Sequence, residues 1–289
     1  MRRRIVGALA LAIVPSAVML GQTPGAYIRV AIIKVKPEKR VEFDGLVKKM
    51  VDANRKNKGP DWLGAEAAYG EANTVYFSTV RPTWADMEKG GEAFGAALGK
   101  ALGPAGVAKM MQDLSQCIAS ERIELRRIRP DLSSNAPSNQ ADLLKLVGQS
   151  RWVRTTIVRL RPGRLGDYQA LARDIKAARD KRGGPPILVS QSVAGQTATS
   201  FYITSLVSST AAFDNPGPTL PELLGEDGFR KYVNTNKEAV LSTETILNRY
   251  VPALSNPAEE VVAVAPDFWK PKPAAAPKPK AAEAPKTGQ

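Results

Sequence analysis

The period of apolar and polar positions changes several times along this chain, and the same order of changes occurs twice. Residues 27–35, YIRVAIIKV, are β-branched and aliphatic with interspersed basic residues, which predicts a strand. After a turn at Pro37, the apolar residues Phe43, Leu46, Val47, Met50 and Val51 fall at i, i+3, i+4, i+7 and i+8, one face of a helix. Residues 64–69 and 74–80 read as a hairpin around Gly70-Glu71-Ala72-Asn73. A second helix carries Val107, Met110, Met111, Leu114 and Ile118 on one face, and a last strand over 121–129 ends at Pro130. From Trp152 the order repeats. A strand leads to a helix bearing Tyr168, Leu171, Ala172 and Ile175, then to a hairpin turning near Gly195-Gln196. A helix with Phe229, Tyr232, Val233, Ala239 and Val240 follows, and a strand over 243–251 stops at Pro252.

Both halves therefore read β-α-β-β-α-β. Pro37/Pro162, Phe43/Tyr168, Leu46/Leu171 and Gly70/Gly195 match at one constant offset, so one unit has been used twice. The expected boundaries are a targeting segment at 1–21, a first unit at 27–132, a linker at 133–150, a second unit at 151–255 and a tail at 256–289. A unit of this order makes a four-stranded antiparallel sheet with both helices on one face, a ferredoxin-like arrangement. Its other face needs a cover, which a second sheet supplies.

The segments VKPEKRVEF and LRPGRLGDY, with hairpins ending in TVYFSTV and SFYITSL, resemble the dimeric α+β barrel superfamily, which includes the antibiotic-biosynthesis-monooxygenase and NIPSNAP families. The resemblance covers about two-thirds of the chain in two copies. It implies an α+β fold in which tandem ferredoxin-like units form an intramolecular pseudo-dimeric barrel around a shared lumen. It also implies oxygenase chemistry without metal or flavin. The tryptophan that commonly ends the third strand in those relatives is replaced here by Arg81 and Leu206, and the histidine that follows it has no counterpart.

Alternation along the first strand of each unit separates two faces. Ile28, Val30 and Ile32, with Val153, Thr155 and Ile157, suit packing against helices. That turns Tyr27, Arg29, Ala31 and Ile33, with Trp152, Arg154, Thr156 and Val158, toward the lumen. An arginine beside an aromatic in an apolar cavity suits an anionic or carbonyl-bearing aromatic ligand. The candidate ligand-binding residues are therefore Tyr27, Arg29, Tyr69, Tyr76, Trp152, Arg154 and Tyr202. The alternative for the arginines is that they sit at strand ends and reach into water.

Composition narrows the chemistry. The chain has 289 residues, one cysteine and no histidine, which excludes histidine-based nucleophilic catalysis and histidine-ligated zinc or haem. Cys117 falls on the apolar face of its helix and suits a small buried side chain. No metal-ligand cluster, phosphate loop or dinucleotide fingerprint appears, so no cofactor is expected. The net charge of +13 is spread over both halves with acids interspersed, a solvated surface rather than a nucleic-acid patch.

Arg2, Arg3 and Arg4 precede the apolar run 5–20, broken by Pro15, which reads as a cleaved secretory signal or, alternatively, an uncleaved anchor. The expectation is a periplasmic or secreted bacterial protein with no stable membrane span after cleavage. Its Pro-, Ala- and Lys-rich tail would be extended and could contact an anionic cell-envelope polymer. The segment 90–106, with glycine at 91, 95, 99 and 103, suits either a helix approached closely by another backbone or a mobile loop. In either form it would be a surface insertion or a lid. Three functions remain open: a binder of a small, mainly apolar or aromatic ligand, a cofactor-independent monooxygenase-like enzyme, and an envelope interaction protein.

Overall fold

Residues 25–215 and 217–270 are described by the computed structural model; the 1–21 targeting segment and the tail beyond residue 270 lie outside these residues. Eight strands form one closed antiparallel barrel. They are β1 (Tyr27–Val35), β2 (Leu63–Tyr69), β3 (Thr74–Arg81), β4 (Ile118–Ile128), β5 (Trp152–Leu160), β6 (Leu188–Ala194), β7 (Ser200–Val207) and β8 (Val240–Tyr250). Their order around the barrel is β1-β3-β2-β8-β5-β7-β6-β4. The edge strands β2 and β4 of the first half pair with β8 and β6 of the second, so every open sheet edge is taken up by a neighbour.

Helices pack on the outside. In the first half these are α1 (Arg40–Lys56) and α2 (Trp84–Cys117); in the second, α4 (Leu165–Arg182) and α5 (Leu220–Ala239). The apolar stripe of α1 buries Phe43, Val47 and Val51 against Val35, Val75, Met110, Leu114 and Cys117, with Ile33 and Phe77 beside them. Tyr168 and Leu171 of α4 are buried, Tyr168 in a cluster with Val158, Leu160, Val189 and Phe201. Cys117 is free and fully buried.

These contacts reverse the face assignment expected from alternation. Arg29, Ala31, Ile33 and Val35 lie on the helix side, and Ile28, Val30 and Ile32 face the lumen. Likewise Ile157 meets Tyr202, Ile246 and Tyr76 inside the barrel. Both faces of a barrel sheet are buried, so both carry apolar residues, and alternation separates two faces without saying which one points inward.

The helix α2 is two helices in succession. Gly103 has φ 68 and ψ 166, outside helical space, and Pro104 supplies no N–H to continue the ladder. The first piece starts at a Thr83 N-cap, whose side chain accepts from the Asp86 N–H. The segment 90–106 is thus helical up to this break. Its glycines at 91, 95, 99 and 103 face open space, with nothing near enough to touch an added Cβ, so no backbone approaches along them. Gly103→Ala forces a Cβ into the left-handed region and is expected to cost about 1–2 kcal/mol, read as a lower denaturation midpoint; an unchanged midpoint would show that the break relaxes freely.

The linker and the chain after the second unit form a further layer. Helices α3 (Gln140–Gln149), α6 (Glu259–Val264) and α7 (Pro266–Trp269) bury Leu144, Val261, Val262 and Trp269 against Ala65 and Tyr250, with Leu63 and Val153 alongside. These partners are inward-facing at the same end of β2, β5 and β8, so the layer packs over one end of the barrel. Residues 256–270 therefore belong to the packed structure rather than to an extended tail. Val261, Val262, Phe268 and Trp269 give this stretch an apolar face, and the Trp269 indole N–H donates to the Gly148 carbonyl at 2.9 Å.

Candidate functional site: a cavity between sheet and helices of the first half

A cavity of ≈ 990 Å³ lies between the first-half sheet and its helices. Its floor is Arg29, Ala31 and Ile33 of β1 with Phe77, Thr79 and Arg81 of β3; β1 and β3 pair so that these six side chains share one face. Phe43, Val47 and Met50 of α1 form a wall. The roof is the first piece of α2, with Trp84, Met87 and Phe94, continued past the Gly103 break by Met111 and Leu114. Phe94 meets Trp62 edge-on at 5.7 Å, and the Trp62 indole is itself fixed by donating to the Leu254 carbonyl at 2.9 Å. Trp84 lines one end, where it is more than half exposed, and the Tyr27 ring lies beside it at 5.7 Å, tilted by 54°.

Two arginines rise from this floor. Arg81 is buried and already engaged. Its guanidinium donates to the Val80 carbonyl at 2.7 Å and pairs with Asp61 at 3.3 Å. Gly90 lies directly over it, an added Cβ there coming within 3.1 Å of the Arg81 Nε, so glycine lets the roof helix settle onto the guanidinium. Arg29 is half-buried and makes no hydrogen bond or ion pair among the described residues. A cation in an apolar recess whose neighbouring cation is already neutralised is a binding element for one negative charge.

The lumen is different in character. Glu124 is fully buried there and its carboxylate is saturated. Arg126 donates to Oε2 through two nitrogens at 2.7 and 3.0 Å, and the Tyr202 hydroxyl donates to the same oxygen at 2.7 Å. Arg122 at 2.9 Å and Gln196 engage Oε1. The Arg126 guanidinium also lies 3.5 Å over the Tyr202 ring. Burial, with the Glu124 charge beside it, raises the Tyr202 phenol well above its ordinary range, although Arg126 opposes the shift. Tyr76 is pushed up to about 12 by burial, reinforced by Glu244 and Glu71. Both hydroxyls stay protonated at neutral pH, and Tyr202 can serve as the donor that Glu124 needs.

The seven residues singled out from sequence are thus dispersed. Arg29 lines the cavity, and Tyr27 stands behind its Trp84. Tyr76 and Tyr202 are lumen-filling. Tyr69 is exposed near the end of β2, and Trp152 and Arg154 lie on the outer face of the second-half sheet. Asp61, Trp62, Arg81, Trp84 and Phe94 escaped sequence reading because three separate segments bring them together. The lumen network had a legible signal, Arg122-x-Glu124-x-Arg126, three charges at period two within one strand.

No protein-family model matches the sequence, and none of the curated proteins matches it. Solved structures align with it at low identity. An anthrone oxidase-like protein aligns over 80% of this chain and 92% of its own at 10% identity and a TM-score of 0.49. A putative monooxygenase from Lactobacillus acidophilus aligns over 78% and 94% at 8% identity and 0.45. A mutant chlorite dismutase from Candidatus Nitrospira defluvii aligns over 84% and 98% at 13% identity and 0.45. What this cavity can hold follows from its own residues. Among the described residues no helix is long and apolar enough to cross a membrane, and no group of three or more acidic or cysteine side chains could hold a metal ion.

Proposed function

We propose that this chain is a tandem duplication of one ferredoxin-like unit, of the dimeric α+β barrel type, and that it binds a small, mainly apolar monoanion in the first-half cavity. The observation that carries this reading is Arg29, without a hydrogen-bond or ion-pair partner among the described residues, on the floor of a ≈ 990 Å³ apolar recess. Asp61 balances Arg81, and Glu88 of the roof helix is exposed to water, so the half-buried Arg29 is the one lining cation without a partner among the described residues. One such cation suits a carboxylate, phenolate or enolate rather than a multiply charged phosphate ester. Trp84, backed by the Tyr27 ring, offers aromatic surface where the ligand enters. The lumen, crossed by the Glu124 network, acts as a second core that joins the halves. The second half, with Trp152 and Arg154 on its outer face, serves as the scaffold that closes the barrel.

Function outside the cytoplasm belongs to the same reading, supported by the basic-then-apolar pattern of residues 1–20. Contact of the Lys- and Pro-rich C-terminal residues with an anionic envelope polymer is a subsidiary part of it.

Native mass spectrometry of the full chain, purified from an envelope fraction without denaturation, tests both parts at once. The expected spectrum shows a polypeptide shortened at its N-terminus and carrying one additional apolar acid. A full-length bare polypeptide that also fails to take up added dodecanoate would sink the reading.

A further inference from the structure

The cavity has a direction. Arg29 and Ile33 both line its floor four residues apart on β1, which separates them by about 13 Å at the rise of a strand. Glu121 of β4 is the register partner of Ile33 and lines the far end with it. Glu121 forms no hydrogen bond or ion pair among the described residues. The slot therefore carries an unpaired cation at one end and an unpaired anion at the other, with Ala31, Phe77, Val47 and Leu114 between them. Glu121 is exposed to solvent at that end. Of the other lining carboxylates, Asp61 is engaged by Arg81, and Glu88, also exposed, follows Met87 on the roof helix over Thr79, the register partner of Arg29, and so does not lie at the Glu121 end.

Resting on the anion-binding reading of this same cavity, we propose that its ligand is bipolar: an apolar chain with an anionic head at Arg29 and a cationic or hydrogen-bond-donating group at the opposite end, held by Glu121. The field along the slot orients such a molecule in one sense only. A simple fatty acid satisfies Arg29 and leaves Glu121 without a partner. A diacid brings a second carboxylate against Glu121, where like charges repel. An ω-amino acid of matching length satisfies both ends.

Calorimetric titration of the full chain with dodecanoate, 12-aminododecanoate and dodecanedioate, at low and high salt, separates these cases. The ω-amino acid is expected to bind about 5-fold more tightly than dodecanoate, the advantage of one solvent-accessible ion pair. The diacid is expected to bind more weakly than either, and salt should compress the spread. Glu121→Gln should bring the three ligands together while keeping dodecanoate affinity, and Arg29→Ala should weaken all three. A diacid that binds as tightly as the ω-amino acid overturns the bipolar assignment and leaves the cavity reading standing. Loss of dodecanoate affinity in Glu121→Gln also overturns it, because Glu121 would then belong to the fold. Failure of all three ligands to bind wild-type protein overturns the cavity reading itself.

Discussion

Glu124→Gln is expected to lower the unfolding free energy by about 3–5 kcal/mol, the usual penalty for removing one partner of a buried ion pair. Glu124 is fully buried, and the two guanidinium nitrogens of Arg126 point at one of its oxygens. An amide in its place keeps an acceptor but removes the negative charge. The Arg126 cation is then left in a barrel interior where water cannot replace the lost partner. The amide N–H groups would also face Tyr202, Arg122 or Gln196, all donors toward this position. For a folded region of this size a loss of 3–5 kcal/mol corresponds to a fall in Tm of roughly 10 °C.

The control is a double replacement, Glu124→Leu with Arg126→Leu. It removes both charges and should recover much of the stability, since an apolar pair of similar volume often matches a buried ion pair. Urea denaturation of the three proteins decides the matter. A Glu124→Gln midpoint within experimental error of wild type would mean that the lumen admits enough water to solvate Arg126, and the picture of a second core would fail. Glu124 belongs to β4 of the first half, whereas Tyr202 and Gln196 belong to the second, so this network joins the halves, as do the Arg249–Glu66 and Arg129–Gln191 contacts.

Arg29→Ala is expected to weaken dodecanoate binding by roughly 10- to 100-fold while leaving the unfolding midpoint nearly unchanged. The size follows from the worth of a charge-assisted hydrogen bond, about 1.5–3 kcal/mol. Stability should hold because Arg29 has no partner among the described residues that its loss would orphan. The parallel variant Arg81→Ala should behave in the opposite way. It strands Asp61 and opens the space under Gly90, so its main effect is on the fold. Titration calorimetry and a melting curve on each variant separate the two roles. Equal affinity in wild type and Arg29→Ala would place the anion elsewhere.

Much of the element order was legible because each segment carries its own period. Phe43, Val47 and Val51 announce α1 without reference to anything distant, and Gly70-Glu71-Ala72-Asn73 announces the β2–β3 turn. The break at Gly103-Pro104 was only half visible. The glycines suggested a close approach that does not occur, since propensity says which backbone shapes a residue permits and nothing about what lies beside it. The C-terminal helices were hidden by composition. Residues 256–270 precede a Pro- and Lys-rich run and composition groups them with it, yet Trp269 finds a buried place against Tyr250, 5.4 Å away.

The sequence by itself determined the strands and helices, their order in each half, and the absence of histidine chemistry, because these depend on local period and on residue inventory. Tertiary structure alone decided which face of each strand turned inward. Alternation of period two is symmetric between faces, and a sheet covered on both sides offers no polar face to break the tie. The pairing of β2 with β8 and β4 with β6 sets that choice. It sends Glu124 and Arg126 into the lumen and leaves Arg29 under the helices, turned toward the apolar cavity where an anion can meet it.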